Sequence, residues 1–279
     1  MSLLLRDELR VVLCRDQVQL IHIGFEFTFQ GRSCRVLDKK IFPCQEDAES
    51  PWGNAVKTLE LALSELPKKP AIAQVILSNH FMRYAIIPWS ESLSNDVEEL
   101  AYAKHFFSQL YGPNADSWEL RMSQDFAGGP KFASALEGQL LQTLRDLFAG
   151  ANVKLRSVQP YLMTAYNNCQ ASFEKRDAWF VLFEQGSICL GLLRQGQWSS
   201  VRTIKVGSDW LVRLPETLDR ESNLSELDTS ADEMFLWAPE HWTVALPTSE
   251  RWKIHKLQPL IQTGLAPDYD ARFAIAMCG

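Results

Sequence analysis

Apolar and polar positions along the chain follow two rhythms: short apolar runs closed by turn residues, and longer stretches at helical spacing. Residues 9–14 and 17–24 are predicted strands joined by the tight turn Arg15-Asp16. In the second, Val18, Leu20 and His22 alternate with Gln17, Gln19, Ile21 and Ile23, so the glutamines predict an outward face only at its start. A third run, 34–41, ends at Pro43 and completes an antiparallel meander. Ser50-Pro51 predicts a helix N-cap followed by proline, with Val56, Leu59, Leu63 and Leu66 as its apolar stripe and Pro67 as its stop.

Residues 72–111 carry the strongest local pattern. Runs 72–77 and 81–87 flank Ser78-Asn79-His80 and predict a hairpin, which Pro88 ends because it has no amide to donate. Asn95 and Glu98 then suit a capping box. Val97, Leu100, Ala101, Phe107, Leu110 and Tyr111 are predicted to form the buried stripe of the helix that follows. Next come strands over 118–122 and 131–136 around the turn Ala127-Gly128-Gly129-Pro130, a helix over 138–148, a strand over 153–158 and a helix opened by Pro160.

The second half restarts the pattern of the first. Runs 178–183, 187–193 and 198–206 predict another meander, followed by a helix through Trp210, Leu211, Leu214 and Leu218 with a kink or restart at Pro215. Residues 219–233 are acidic and polar and predict a surface loop with some helix. Strands or extended segments are expected at 234–237, 242–246 and 252–257. The expected division is a first lobe over 1–160 and a second over 161–279. The fold class expected is α/β with mixed sheets.

Composition narrows the function. The 279 residues are 46% hydrophobic and 22% charged, enough to bury a core. A formal charge of −6, with no basic run longer than two residues, argues against a nucleic-acid partner. The first eight residues are too short in apolar content for a signal peptide, and no run of 18 apolar residues occurs, so a cytoplasmic protein without a transmembrane segment is expected. Cysteines 14, 34, 44, 169, 189 and 278 contain no C-x-x-C pair, and histidines 22, 80, 105, 241 and 255 share no metal spacing. No Walker A loop, G-x-G-x-x-G, H-E-x-x-H or G-x-S-x-G occurs. Neither a catalytic residue nor a metal site is therefore predicted. Trp237, Trp242 and Trp252 are expected in the core, with an aromatic docking patch as the competing reading.

Two lobes that each open with a meander describe the duplicated ribonuclease-H-like core of the actin-like ATPase superfamily. The words Leu77-Ser78-Asn79-His80, Tyr84 to Trp89 with its Ile87-Pro88-Trp89 corner, and Glu98-Glu99-Leu100 resemble the PilM and GspL kind, actin-like cytoplasmic assembly proteins of type IV pili and type II secretion. The resemblance implies a cytoplasmic scaffold, peripheral to the inner membrane through its partner, that docks a protein or peptide of an inner-membrane pilus or secretion component.

It also implies where a nucleotide with magnesium would sit. Backbone must approach phosphate closely, so glycines are expected in two strand-turn-strand loops. The first loop, Cys14-Arg15-Asp16-Gln17, has none; Asp16 reads as an exposed turn residue or as the family's magnesium-directing aspartate. The second offers Gln185, Gly186 and Ser187, equally suited to a plain hairpin. No glycine lies between Gly207 and Gly264, so the family's adenine-binding turn has no counterpart. The sequence therefore predicts a non-catalytic scaffold without cofactor. An ATPase or small-molecule kinase using ATP with magnesium through degenerate loops is the alternative, and an unrelated α+β binding module the third reading.

Overall fold

The computed structural model describes all residues except 1–6, 29–30, 45–49, 68–69, 94, 124–127, 225–230 and 279. Strands β1 (Glu8–Leu13), β2 (Gln17–Thr28) and β3 (Gly31–Pro43) form the predicted meander, followed by helix α1 (Gly53–Ser64) and strand β4 (Ile72–Leu77). β4 runs parallel to β1, pairing Val11 with Val75. Both strands are covered on both faces, which explains apolar runs without alternation. α1 begins at Gly53 behind Trp52, two residues later than Ser50-Pro51 predicts, and no side chain caps it.

A 3₁₀ turn, Asn79–Phe81, then leads the chain out of this sheet. Strand β5 (Met82–Ile87), helix α2 (Asp96–Tyr111), strand β6 (Trp118–Met122) and strand β7 (Lys131–Glu137) build a separate three-stranded sheet ordered β5-β7-β6. The predicted hairpin over 72–87 is therefore wrong: β4 and β5 are consecutive but lie in different sheets, because the 3₁₀ turn redirects the chain. Asn95 does cap α2, its Oδ1 accepting from the amides of Val97 and Glu98 at 3.0 Å. The predicted stripe is also corrected. Val97 and Leu110 are 77% and 56% exposed, while Ala103 and Phe107 are buried against Ala85, Ala133 and Ala135. Small side chains on the sheet let the helix dock along a narrow seam, leaving most of its apolar residues outside. The turn predicted at 127–130 lies partly outside the described residues.

Helix α3 (Gly138–Gly150) returns the chain to strand β8 (Lys154–Pro160), parallel to β4, and the first sheet is ordered β3-β2-β1-β4-β8. Helix α4 (Tyr161–Cys169) leads to the second meander, β9 (Ala178–Glu184), β10 (Ser187–Arg194) and β11 (Gln197–Lys205). Helix α5 (Leu214–Leu224), β12 (Glu233–Trp237) and β13 (Lys253–Lys256) complete a sheet ordered β11-β10-β9-β12-β13. Each five-stranded sheet thus repeats one order, three antiparallel strands then two parallel ones. That is the duplicated ribonuclease-H-like architecture predicted. Pro215 sits at the start of α5, where its missing amide costs nothing, so it restarts rather than kinks the helix.

Residues 242–246 do not form the predicted strand. They follow a 3₁₀ turn, Pro239–His241, and the carbonyls of His241, Trp242 and Val244 converge instead on Lys256 Nζ. Trp237 and Trp252 are buried as predicted, whereas Trp242 is exposed. The last described segment, including helix α6 (Ala274–Met277), returns to the first sheet, where Arg10 donates to the carbonyls of Ala276 and Cys278 at 2.8 and 2.9 Å.

One apolar core joins the two five-stranded sheets: Leu9 and Val75 of the first, Phe180 and Trp237 of the second, with Tyr166 of α4 between them. Trp198 packs on Tyr166 at 4.7 Å and on Phe132 of β7 at 4.8 Å, tying the third sheet to the rest. Gly191 makes room for it, since a Cβ there would meet Trp198 Cζ3 at 2.2 Å. Gly191→Ala is expected to lower unfolding free energy by about 1–3 kcal/mol through overpacking. Gly150→Ala, where a Cβ meets nothing within 4 Å, serves as the near-neutral control in the same urea titration.

Candidate functional site between the lobes

The turns that would hold phosphates meet at the junction of the two lobes. In the first, the Cys14 amide donates to the Gln17 carbonyl at 2.9 Å, closing the turn on itself, and the Asp16 carbonyl accepts from the Cys44 amide at 2.7 Å. The second is a two-residue hairpin, Gln185-Gly186, with Glu184 paired to Ser187; Gly186 takes φ +81°, which suits a residue without Cβ. Asp16 and Gln185 are exposed, Gly186 is exposed, and Ser187 is buried in β10. All four predicted residues line one continuous groove, so the fold brings them together.

What links the turns is Glu184, a residue the sequence reading did not single out. Its Oε2 accepts from the Asn79 amide at 2.8 Å, across the lobes, and Ser78 supplies a second hydrogen bond. His80 Nε2 meets the Gln185 carbonyl at 3.0 Å beside it. The remaining amides of that corner are also engaged: His80 donates to Ser78 Oγ and Phe81 to the Ser78 carbonyl. A phosphate needs free amides that point at it. Here the protein's own carboxylate occupies the anion position at the start of the 3₁₀ turn.

Two spaces flank this contact. On one side lies a cavity of about 230 Å³, walled by Asp16, Gln17, Gln19, Tyr161, Glu184, Glu240 and Arg272 among others. That is smaller than the roughly 300–1,000 Å³ typical of ligand pockets. Gln19, predicted to face outward, is instead only 4% exposed and turned into this wall, because the lobes close over the start of β2. An isolated glutamine among Val18, Leu20 and Ile21 was the signal in the sequence. On the other side runs a groove of about 1150 Å³ between β5, α2, α1 and β11. β5 and β11 are both edge strands, so each leaves one row of backbone groups without a strand partner. Its walls carry Arg15, Arg83, Lys205 and Arg202, the last paired with Glu221 at 2.9 Å, against one lining carboxylate, Asp16, and add Phe106, Leu110, Tyr111 and Val201.

The electrostatics follow from enclosure. Burial raises the Glu184 carboxyl to about 7, hydrogen bonds from Ser78 and Asn79 opposing, with Asp16 adding to the rise. Burial likewise raises Glu240, and it pushes the Cys14 thiol well up, helped by Glu184, Asp16 and Glu240. His80 is lowered, first by burial and then by Arg15. Among the described residues no group of three or more His, Cys, Asp or Glu side chains is placed to hold a metal ion.

A folded-state value above the unfolded one means that Glu184 stabilises the fold below the unfolded value of 4.5 and loses that contribution as pH rises to about 7. Glu184→Gln keeps an acceptor for the Asn79 amide without titrating. The wild type is therefore expected to lose on the order of 2 kcal/mol relative to this variant between pH 4.5 and 7.5, and nothing more above that, in urea unfolding at stepped pH.

No family model and no curated protein matches the sequence. Solved structures do. The chain is similar to the cytoplasmic domain of EpsL, an inner membrane component of the type II secretion system of Vibrio cholerae, at 9% identity over 97% of this chain and 93% of that one, TM-score 0.58. It is similar to the PilM-PilN type IV pilus biogenesis complex at 13% identity over 96% of each chain, TM-score 0.61. A Bacteroides thetaiotaomicron protein with an actin-like ATPase fold and unknown function matches at 10% identity over 98% and 96%, TM-score 0.57. At such identities the likeness speaks for the fold. The chain has the actin-like ATPase fold and resembles the PilM and GspL kind.

Proposed function

We propose that this protein is a non-catalytic, cytoplasmic actin-like scaffold that docks an inner-membrane component of a type IV pilus or type II secretion-like machine. The observation that carries this reading is the groove between the two edge strands, β5 and β11. Unpaired edges accept an extended segment by strand addition, with neighbouring pockets taking alternate side chains. The walls are basic on a chain whose formal charge is −6, so the occupant is an extended, acidic and apolar segment of the partner. The similarity to the PilM-PilN complex supports the same class of partner. No described helix is long and apolar enough to cross a membrane. The engaged amides of Cys14, Asn79 and Phe81 support the absence of catalysis.

Labelled peptides from the cytoplasmic segments of the inner-membrane assembly proteins encoded in the same genome are expected to bind, by fluorescence anisotropy, in a salt-sensitive manner. Arg83→Glu together with Arg202→Glu is expected to weaken binding by about tenfold or more. Binding indifferent to both changes, or none, would sink the assignment. The alternative, an ATPase or small-molecule kinase with degenerate loops, has its own check. Roughly 5 mM Mg-ATP is expected to leave the melting temperature unchanged, whereas a saturable rise would favour the enzyme.

A further inference from the structure

The cavity of about 230 Å³ on the far side of the interlobe contact has the wrong sign for a phosphate and the right one for something else. Three carboxyls face it: Asp16 from the first turn, Glu184 from the second and Glu240 from the 3₁₀ turn after β12. Two guanidiniums lie on the same wall; Arg272 is paired with Asp270, at 2.8 and 3.2 Å, and also acts on Glu240, so Arg15 and Arg272 stand against four carboxyls, those three and Asp270. Negative charge is therefore in excess.

An independent observation points into the same space. Gln19 is 4% exposed, lines this cavity, and its Oε1 is buried without a hydrogen-bond partner among the described residues. A buried carbonyl without a donor costs about 1–3 kcal/mol, so such an atom marks a place where a donor belongs. We propose that the interlobe cavity binds a small organic cation carrying N–H donors, an amine or a guanidinium, held by Gln19 Oε1 and by the carboxylates of Asp16, Glu184 and Glu240.

The chemistry fits in three respects. An ammonium or guanidinium offers several N–H donors and no acceptor, matching a wall whose principal groups are acceptors. Charge-assisted hydrogen bonds to carboxylates are the strong ones. The volume suits a group of a few heavy atoms better than a nucleotide. The carboxyls of Glu184 and Glu240 are both raised chiefly by burial, with Asp16 adding to the rise and His241 and Arg272 opposing it at Glu240, and an incoming cation compensates their lost solvation. This inference is independent of the docking reading, since the docking groove lies on the opposite side of the Glu184 contact.

Agmatine, which carries both groups, is the probe for isothermal titration calorimetry and thermal melting of the full chain. One site per chain is expected, with a melting temperature that rises saturably. Gln19→Leu removes the orphan acceptor with little change of volume and is expected to weaken binding about tenfold; Glu184→Gln is expected to do at least as much. Circular dichroism and melting of both variants without ligand establish that they fold. A blocked peptide with one central arginine, titrated in parallel, separates a free cation from a partner's side chain: binding of agmatine alone assigns the first source, tighter binding of the peptide the second. No response of the wild type to either probe at roughly 10 mM, or equal binding by wild type and Gln19→Leu, would overturn the proposal.

Discussion

A single contact governs how the two halves of this molecule can act: the Glu184 carboxylate accepting the Asn79 amide across the lobes at 2.8 Å. In a fold built to close two hairpin turns around phosphates, those turns work only while their amides are free. Here the Cys14 amide is engaged, and so are the amides of the neighbouring 3₁₀ turn. Cys14 closes its own turn, Asn79 is held by Glu184, and His80 and Phe81 donate to Ser78. The second hydrogen bond, His80 to the Gln185 carbonyl, binds the same two corners from the side. An apolar core lies beneath this arrangement, with Phe180, Trp237 and Tyr166 in one cluster with residues of the first sheet.

Much of this architecture was legible in the chain itself. The two meanders were visible because each consists of apolar runs joined by short turns, with pairing between neighbours in sequence. The α2 cap was legible for the same reason, Asn95 acting on amides two and three residues away. What could not be read depended on contacts distant in sequence. β4 and β5 look like a hairpin, but the partners of β4 are β1 and β8, and that of β5 is β7. The buried seam of α2, Ala103 and Phe107, is set by alanines on β5 and β7 rather than by the helix's full apolar stripe. Asp16, Gln185, Gly186 and Ser187, read from the sequence as nucleotide-loop positions, line one groove, while Glu184 beside them carries the interlobe contact. Its role depends on Asn79, 105 residues earlier. Gln19 was misassigned because period-2 alternation assumes one wet face, and the opposite lobe covers it.

The geometry divides the interlobe corner into two environments of opposite character. The groove by β5 and β11 is basic and apolar, with two strand edges, and suits an extended partner segment. The cavity by Glu240 and Gln19 is acidic and small. Arg15 and Asp16 stand on the wall of both, so the first turn separates them with its own two charges. A fold shared with nucleotide-binding proteins is thus compatible with a binding protein, because function resides in the site and not in the scaffold.

The central claim is that the anion position of the interlobe corner is filled by Glu184. Hydrogen exchange of the Asn79 amide tests it most directly. A donor held by a carboxylate in a closed corner is expected to exchange with strong protection, and at the same rate with and without Mg-ATP. Exchange at the rate of an open loop, or new protection of the 14–17 and 184–187 turns on adding Mg-ATP, would contradict the account.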